Sequence, residues 1–69
     1  MIVYIISRDI NGQRHSISFN EKTRETAWIV KESLKLHPGF GRVGWKTRDL
    51  AEQRAREFGG GAYVTEVTI

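Results

Sequence analysis

The sequence predicts an α+β fold: a three-stranded sheet, built from an N-terminal β-hairpin and a C-terminal strand, with two helices packed on one face in the order β-β-α-α-β. Three observations predict it. Asn11-Gly12 stands between two alternating apolar runs, the hydrophobic period changes after Phe19, and Ala62 to Ile69 returns to strand-forming residues.

Asn-Gly suits a type I′ hairpin turn, which needs φ > 0 at both central positions. A two-residue turn there sets Ile10 opposite Gln13, Arg8 opposite His15, Ile6 opposite Ile17 and Tyr4 opposite Phe19. One face then carries Ile2, Tyr4, Ile6, Ile17 and Phe19, and the other Val3, Ile5, Ser7, Ser16 and Ser18. A slip of one residue would bury the serines in place of Ile17 and Phe19, so this register is well specified.

Next, the spacing predicts a helix over about Thr23 to Leu36, capped from Asn20 or Thr23. Ala27, Ile29, Val30, Ser33, Leu34 and Leu36 would share the face toward the hairpin. Trp28 falls on the opposite face among Arg24, Lys31 and Lys35. It is either a contact residue or a side chain covered by the following loop, and Phe40 and Trp45 lie within reach to cover it.

His37-Pro38-Gly39 ends this helix, because Pro cannot continue it. Thr47 caps a second helix, roughly Arg48 to Phe58, with Asp49 in its first turn and Gly59 as its C-cap. Its apolar face is Leu50, Ala51, Ala55 and Phe58, with Arg54 inside that arc. In the last strand Tyr63, Thr65, Val67 and Ile69 would face the helices. The first strand is apolar on both faces and belongs in the centre, giving the spatial order 2-1-3.

Sixty-nine residues make one small domain, 1–69, near the size where a single core barely outweighs chain entropy. With no Cys there is no disulfide and no thiolate zinc site, and His15 and His37 fall on different elements. Neither metal nor cofactor is expected. The cysteine-free composition fits a reducing cytoplasm. No signal-peptide pattern and no apolar run of membrane-spanning length is present, so no membrane partner is expected.

The net charge is +3, and its placement says more than its size. Between Ser33 and Arg48 there is no Asp or Glu, while Lys35, Arg42, Lys46 and Arg48 fall inside; the rest of the chain sums to −1. Such asymmetry points to an acidic partner, with nucleic acid first.

Three glycine patterns overlap in this stretch. Gly39-x-Gly41-x-x-Gly44 has the dinucleotide-binding spacing, but it follows a helix and a Pro where the fingerprint requires a strand. Gly39 to Thr47 misses the P-loop pattern by one inserted Trp. Gly41-Arg42-Val43-Gly44, between two predicted helices, resembles the G-x-x-G loop of the KH module, which clamps a nucleic-acid backbone. That resemblance covers only Leu34 to Ala51. It departs from the family where Pro38-Gly39 breaks the first helix and where the apolar pair before the first Gly is missing.

No Ser or Thr is predicted beside a His and a carboxylate, and the acids are scattered over solvent-facing positions, so no enzymatic activity is expected. The working surface expected is Lys35, Phe40, Arg42, Trp45, Lys46 and Arg48, with Trp28 as a further contact. Two functions fit it. The first is a nucleic-acid-binding module whose Gly-rich loop, between the two helices, contacts phosphates while Phe40 and Trp45 stack on bases. The second is a protein-binding inhibitor or regulator, of the kind common in phage and mobile elements, that docks on a larger complex through aromatic and Arg hot spots. An open strip of Val3, Ile5 and Val64 on the face away from the helices further predicts a homodimer.

Overall fold

The Asn11-Gly12 turn forms with Asn11 at φ 52° and Gly12 at φ 78°, joining β1 (Ile2–Ile10) to β2 (Gln13–Asn20) in a computed structural model that describes all residues from Met1 to Ile69. Pairing runs from Ile10–Gln13 through Arg8–His15 to Ser7–Ser16 and stops there. The expected pairs Ile6–Ile17 and Tyr4–Phe19 do not form, because the two strands fork beyond Ser7 and Ser16. Each then recruits other partners. On one edge β1 pairs with β6 (Tyr63–Thr68), from Ser7–Tyr63 down to Ile2–Thr68. The outer edge of β2 pairs with β3 (Glu25–Ile29), from Ser16–Ile29 to Asn20–Glu25.

The fork itself is filled by one short stretch of chain. β4 (Phe40–Arg42) climbs along β2, with Phe40 opposite Asn20 and Arg42 opposite Ser18. β5 (Gly44–Trp45) descends along β1, with Gly44 opposite Ile5 and Trp45 opposite Tyr4. Val43 sits at the apex, where its N–H donates to the Ile17 carbonyl at 3.4 Å. The result is one six-stranded antiparallel sheet with a single α-helix, α1 (Arg48–Phe58).

This overturns the expected three-stranded sheet with two helices. The helix expected over Thr23 to Leu36 is instead β3 followed by a 3₁₀ helix, Lys31–Leu36, that buries no residue. The physical reason lies in Trp28 and Ile29. On a helix, Trp28 would lie on the polar side without cover. On a strand, adjacent side chains point to opposite faces, so Trp28 and Ile29 each reach a core. Ile29 is buried, and Trp28 meets Phe58 edge-on at 5.6 Å between ring centroids. Thr26, Ile29 and Val30 are also β-branched and suited to a pleated surface.

Between the sheet and α1 lies the main core, made by Ile6, Ile17 and Ala55 with Trp28, Val43, Trp45 and Val64 packed against them. Thr47 Oγ1 accepts from the Leu50 N–H at 3.3 Å, and Gly59 closes the helix at φ 64°, as the cap residues lead one to expect. Ala51 and Ala55 are buried, but Leu50 is half exposed, so the apolar face of α1 is narrower than its sequence suggests.

The last strand is turned over relative to expectation. Val64 lies opposite Ile6, and Glu66 opposite Tyr4, so these two share the helix side of the sheet, while Thr65 and Val67 take the other. The Met1–Ile69 main-chain bonds, 3.1 and 2.8 Å, help hold the strand in this register. With Val64 in the core and Ile5 buried, the strip expected to form a homodimer does not exist.

Away from α1, Ile5 and Ile29 are buried with Ser7, Ser16 and Ser18. Thr65 donates to Ser7 Oγ at 3.1 Å and Ser18 to the Ser16 carbonyl at 3.4 Å, and no buried side-chain polar atom is left without a partner. These hydroxyls can therefore be buried without the cost of an orphaned polar group.

Candidate functional site

The expected surface spans two helices and the loop between them, and the fork, with β4 and β5 in place of that loop, redistributes its residues. Trp45 and Trp28 are half-buried core side chains, and Trp28 also lies under the Arg8 guanidinium at 5.8 Å. Arg48 is held by Glu66 at 3.5 Å and Glu52 at 3.9 Å, and stands over the Tyr4 ring at 5.3 Å. It is already engaged by the fold. Lys35, on the 3₁₀ helix, and Lys46, after β5, are exposed and make no ion pair. Phe40 and Arg42 remain together on β4, with Phe40 half-buried against the edge of His37 at 6.2 Å.

Nor does the Gly41-Arg42-Val43-Gly44 stretch link two helices. It runs from β4 over the apex of the fork into β5, and α1 begins only at Arg48. The helix pair that carries the resemblance to a KH loop is absent, so any contact this stretch makes with a ligand must come from strand ends and exposed side chains. Gly39, just before β4, sits at φ 87°, and an added Cβ would lie 2.8 Å from Asn20 Nδ2. This glycine serves the close approach of the chain to Asn20.

Arg42 instead joins residues from elsewhere in the chain. A cleft of about 480 Å³ is lined by Arg14, Ser16, Lys31, Glu32 and Arg42, together with Gln13 and Val30. The ladder explains the meeting. Two residues beyond the Ser16–Ile29 pair lie Arg14 on one strand and Lys31 on the other, while Arg42 comes from the opposite edge of β2, across from Ser18. None of the three cations has a carboxylate within ion-pair distance. Against them stands one acid, Glu32.

Arg14 and Lys31 are absent from the sequence-derived surface. They become neighbours only if residues 25–29 form a strand on β2, so no local pattern could have paired them.

On its other side Arg42 also lines a second cleft, of about 580 Å³, bordered by Phe19, Glu21, Lys22, Phe40 and Gly41. The two clefts therefore share a wall. Both volumes fall within the roughly 300–1,000 Å³ usual for ligand sites. The first can balance negative charge, and the second has open backbone at Gly41, where an added Cβ would meet nothing within 4 Å, while the β2–β4 register turns Phe19 and Phe40 to opposite faces of the sheet.

No group of three or more His, Asp or Glu side chains is arranged to hold a metal ion, and no helix is long and apolar enough to cross a membrane. No protein-family model, curated protein or solved structure matches this chain.

Proposed function

We propose that this chain is a small, non-enzymatic nucleic-acid-binding module that meets the phosphate backbone with Arg14, Lys31 and Arg42, and with Lys35 and Lys46 as outlying cations. One observation carries the reading: three cations from three separate elements line one cleft without an ion-pair partner. Arg48 and Arg54, by contrast, are engaged by carboxylates on the far elements. Placing like charges side by side costs stability, and an anionic ligand offsets that cost on binding. Arg suits this role because its planar fork matches phosphate geometry.

The test is fluorescence anisotropy of labelled oligonucleotides at a series of salt concentrations. Three phosphate contacts should give a slope of log K against log salt of about −2 to −3. Arg42→Ala should weaken binding to every sequence and reduce the slope by about one. Absence of binding at low salt overturns the reading and leaves an acidic protein surface as the partner these cations would meet.

A further inference from the structure

We infer that this protein pairs with a second copy of itself through the free edge of β6, the two strands running antiparallel about a two-fold axis at Thr65. β6 ladders onto β1 alone, and its other edge has no partner. The chain ends show which of its main-chain groups point outward. Met1 and Ile69 exchange two bonds: the Met1 amino group donates to the Ile69 carbonyl at 3.1 Å, and the Ile69 N–H donates to the Met1 carbonyl at 2.8 Å. Bonded and non-bonded pairs alternate along an antiparallel ladder, so Val3–Val67, Ile5–Thr65 and Ser7–Tyr63 are the bonded pairs within it. The N–H and C=O groups of Val64, Glu66 and Thr68 therefore face away from β1. Edges of this kind are commonly blocked by a Lys, a Pro or a bulge. β6 has none of these: its register on β1 is unbroken, and its one charge, Glu66, is paired with Arg48 at 3.5 Å.

Self-pairing has to choose a register. An axis at Glu66 would set each Glu66 opposite its own copy, and like charges directly opposite are destabilising. An axis at Thr65 sets Val64 of each copy opposite Glu66 of the other, where their outward groups can form four main-chain bonds. It also sets Tyr63 across from Val67, an aromatic and β-branched pair. Charge complementarity favours the same register. Arg48 stands at Glu66, and Glu52 lines a cleft with Val64. Placing Glu66 opposite the second copy's Val64 thus brings Arg48 toward the second copy's Glu52, and the two-fold axis makes this contact twice. Both side chains are about half exposed and open to it.

The other free edge of the sheet, β3, is less suited. The Ile17 carbonyl accepts from Val43 within the fork, so Ser16, Ser18 and Asn20 are the β2 residues whose main chains face β3. Only Thr26 and Trp28 then direct main-chain groups outward from β3, against three residues on β6. The proposed contact is made by an edge and needs nothing from the Val3–Ile5–Val64 strip, which the fold removes.

Light scattering after size exclusion, without nucleic acid, should show twice the protomer mass at high micromolar concentration and dissociation on dilution. Glu66→Pro removes an outward N–H and no bond to β1, a position where proline is tolerated. By symmetry it deletes two of the four bonds between copies and should weaken the dimer by roughly tenfold or more. Thr26→Pro does the same to the β3 edge and should leave the dimer intact. Circular dichroism and the melting midpoint of each variant would show that it remains folded. The register has its own readout, since the chain has no cysteine. Thr65→Cys puts the two thiols at a non-bonded pair with Cα atoms about 4.5 Å apart, close enough to bridge, and it should give a covalent dimer on mild oxidation, whereas Glu66→Cys should not. A strict monomer at high micromolar concentration, a dimer lost with Thr26→Pro and kept with Glu66→Pro, or cross-linking through Glu66→Cys and not Thr65→Cys would each overturn the inference. None of these outcomes touches the nucleic-acid reading, whose salt slope is measured separately.

Discussion

The two hairpins of this protein share β2 and are closed by different chemistry. At the first turn, two residues reverse the chain with positive φ at both, and Gly12 supplies the second without a side chain to strain. At the second turn, four residues from Glu21 to Arg24 join Asn20 to Glu25, and none of them is glycine. A buried side chain holds that loop instead. Asn20 Oδ1 accepts from the Lys22 N–H at 3.0 Å and the Thr23 N–H at 3.2 Å, while its carbonyl accepts from the Arg24 N–H at 2.7 Å. The chain then escapes into β3 through Arg24, which sits at φ 64°. One turn is thus made by backbone freedom, the other by a polar anchor and a strained residue. The difference matters for the proposed site, since the second hairpin is the one that carries Lys31 to Arg14.

The largest effect should come from what both hairpins hold in common. Ile17 lies on β2 between the two ladders, opposite Trp28 on one side, and packs with Ile6 and Ala55 in the core. Ile17→Ala should lower stability by about 2–5 kcal/mol, from lost burial and the cavity left behind. That is a large share of what a domain of this size possesses. Urea denaturation followed by tryptophan fluorescence would read it, and a loss below about 1 kcal/mol would remove Ile17 from the centre of the core.

A smaller effect separates the first hairpin from the second. At Gly12 an added Cβ meets nothing within 4 Å, so any cost of substitution is conformational and not a clash. Gly12→Val should destabilise by about 1–3 kcal/mol, since a β-branched residue resists the left-handed region. Gly12→Asn should recover most of that loss, because Asn tolerates this backbone. If valine and asparagine melt alike, the turn does not hold its left-handed geometry in solution.

The same contrast explains which parts of the fold were legible in the sequence. The first hairpin was readable because Asn-Gly has few alternatives, and α1 because Thr47, Asp49 and Gly59 all agree on its ends. The second hairpin was hidden by Asn20. Its side chain accepts from the N–H groups two and three residues on, which is also what a helix N-cap does, so the cap signal was real and the helix behind it was not. Only the fork could have settled the matter, and it depends on pairings between distant residues. The candidate site follows the same pattern. Arg42 was readable as an exposed cation in an acid-free stretch, whereas Arg14 and Lys31 acquire meaning only from the β2–β3 register. Trp45 and Arg48 looked free because nothing local shows the Ile6–Ile17–Ala55 core or Glu66 approaching them, and Trp28, readable as a contact residue or as one covered by the following loop, is covered by the core and Phe58 instead.

The smallest predicted effect has the opposite sign and bears on the second hairpin alone. Arg24 is exposed and makes no ion pair, so replacing it removes few contacts. Its left-handed backbone costs an L-residue about 1–2 kcal/mol. Glycine would remove that strain but would lose about 0.5–1 kcal/mol through the greater freedom of the unfolded chain. Arg24→Gly should therefore leave stability unchanged or raise it by up to about 1 kcal/mol, where a glycine in an ordinary strand position would lower it. Arg24→Asn separates the two contributions, since asparagine accepts the left-handed region without the full entropy of glycine. Both variants should match or exceed wild type in urea midpoint, with an unchanged dependence on denaturant. If both fall below wild type by more than about 1 kcal/mol, Arg24 is not strained, and the loop would be held by contacts of its side chain instead of by the Asn20 anchor.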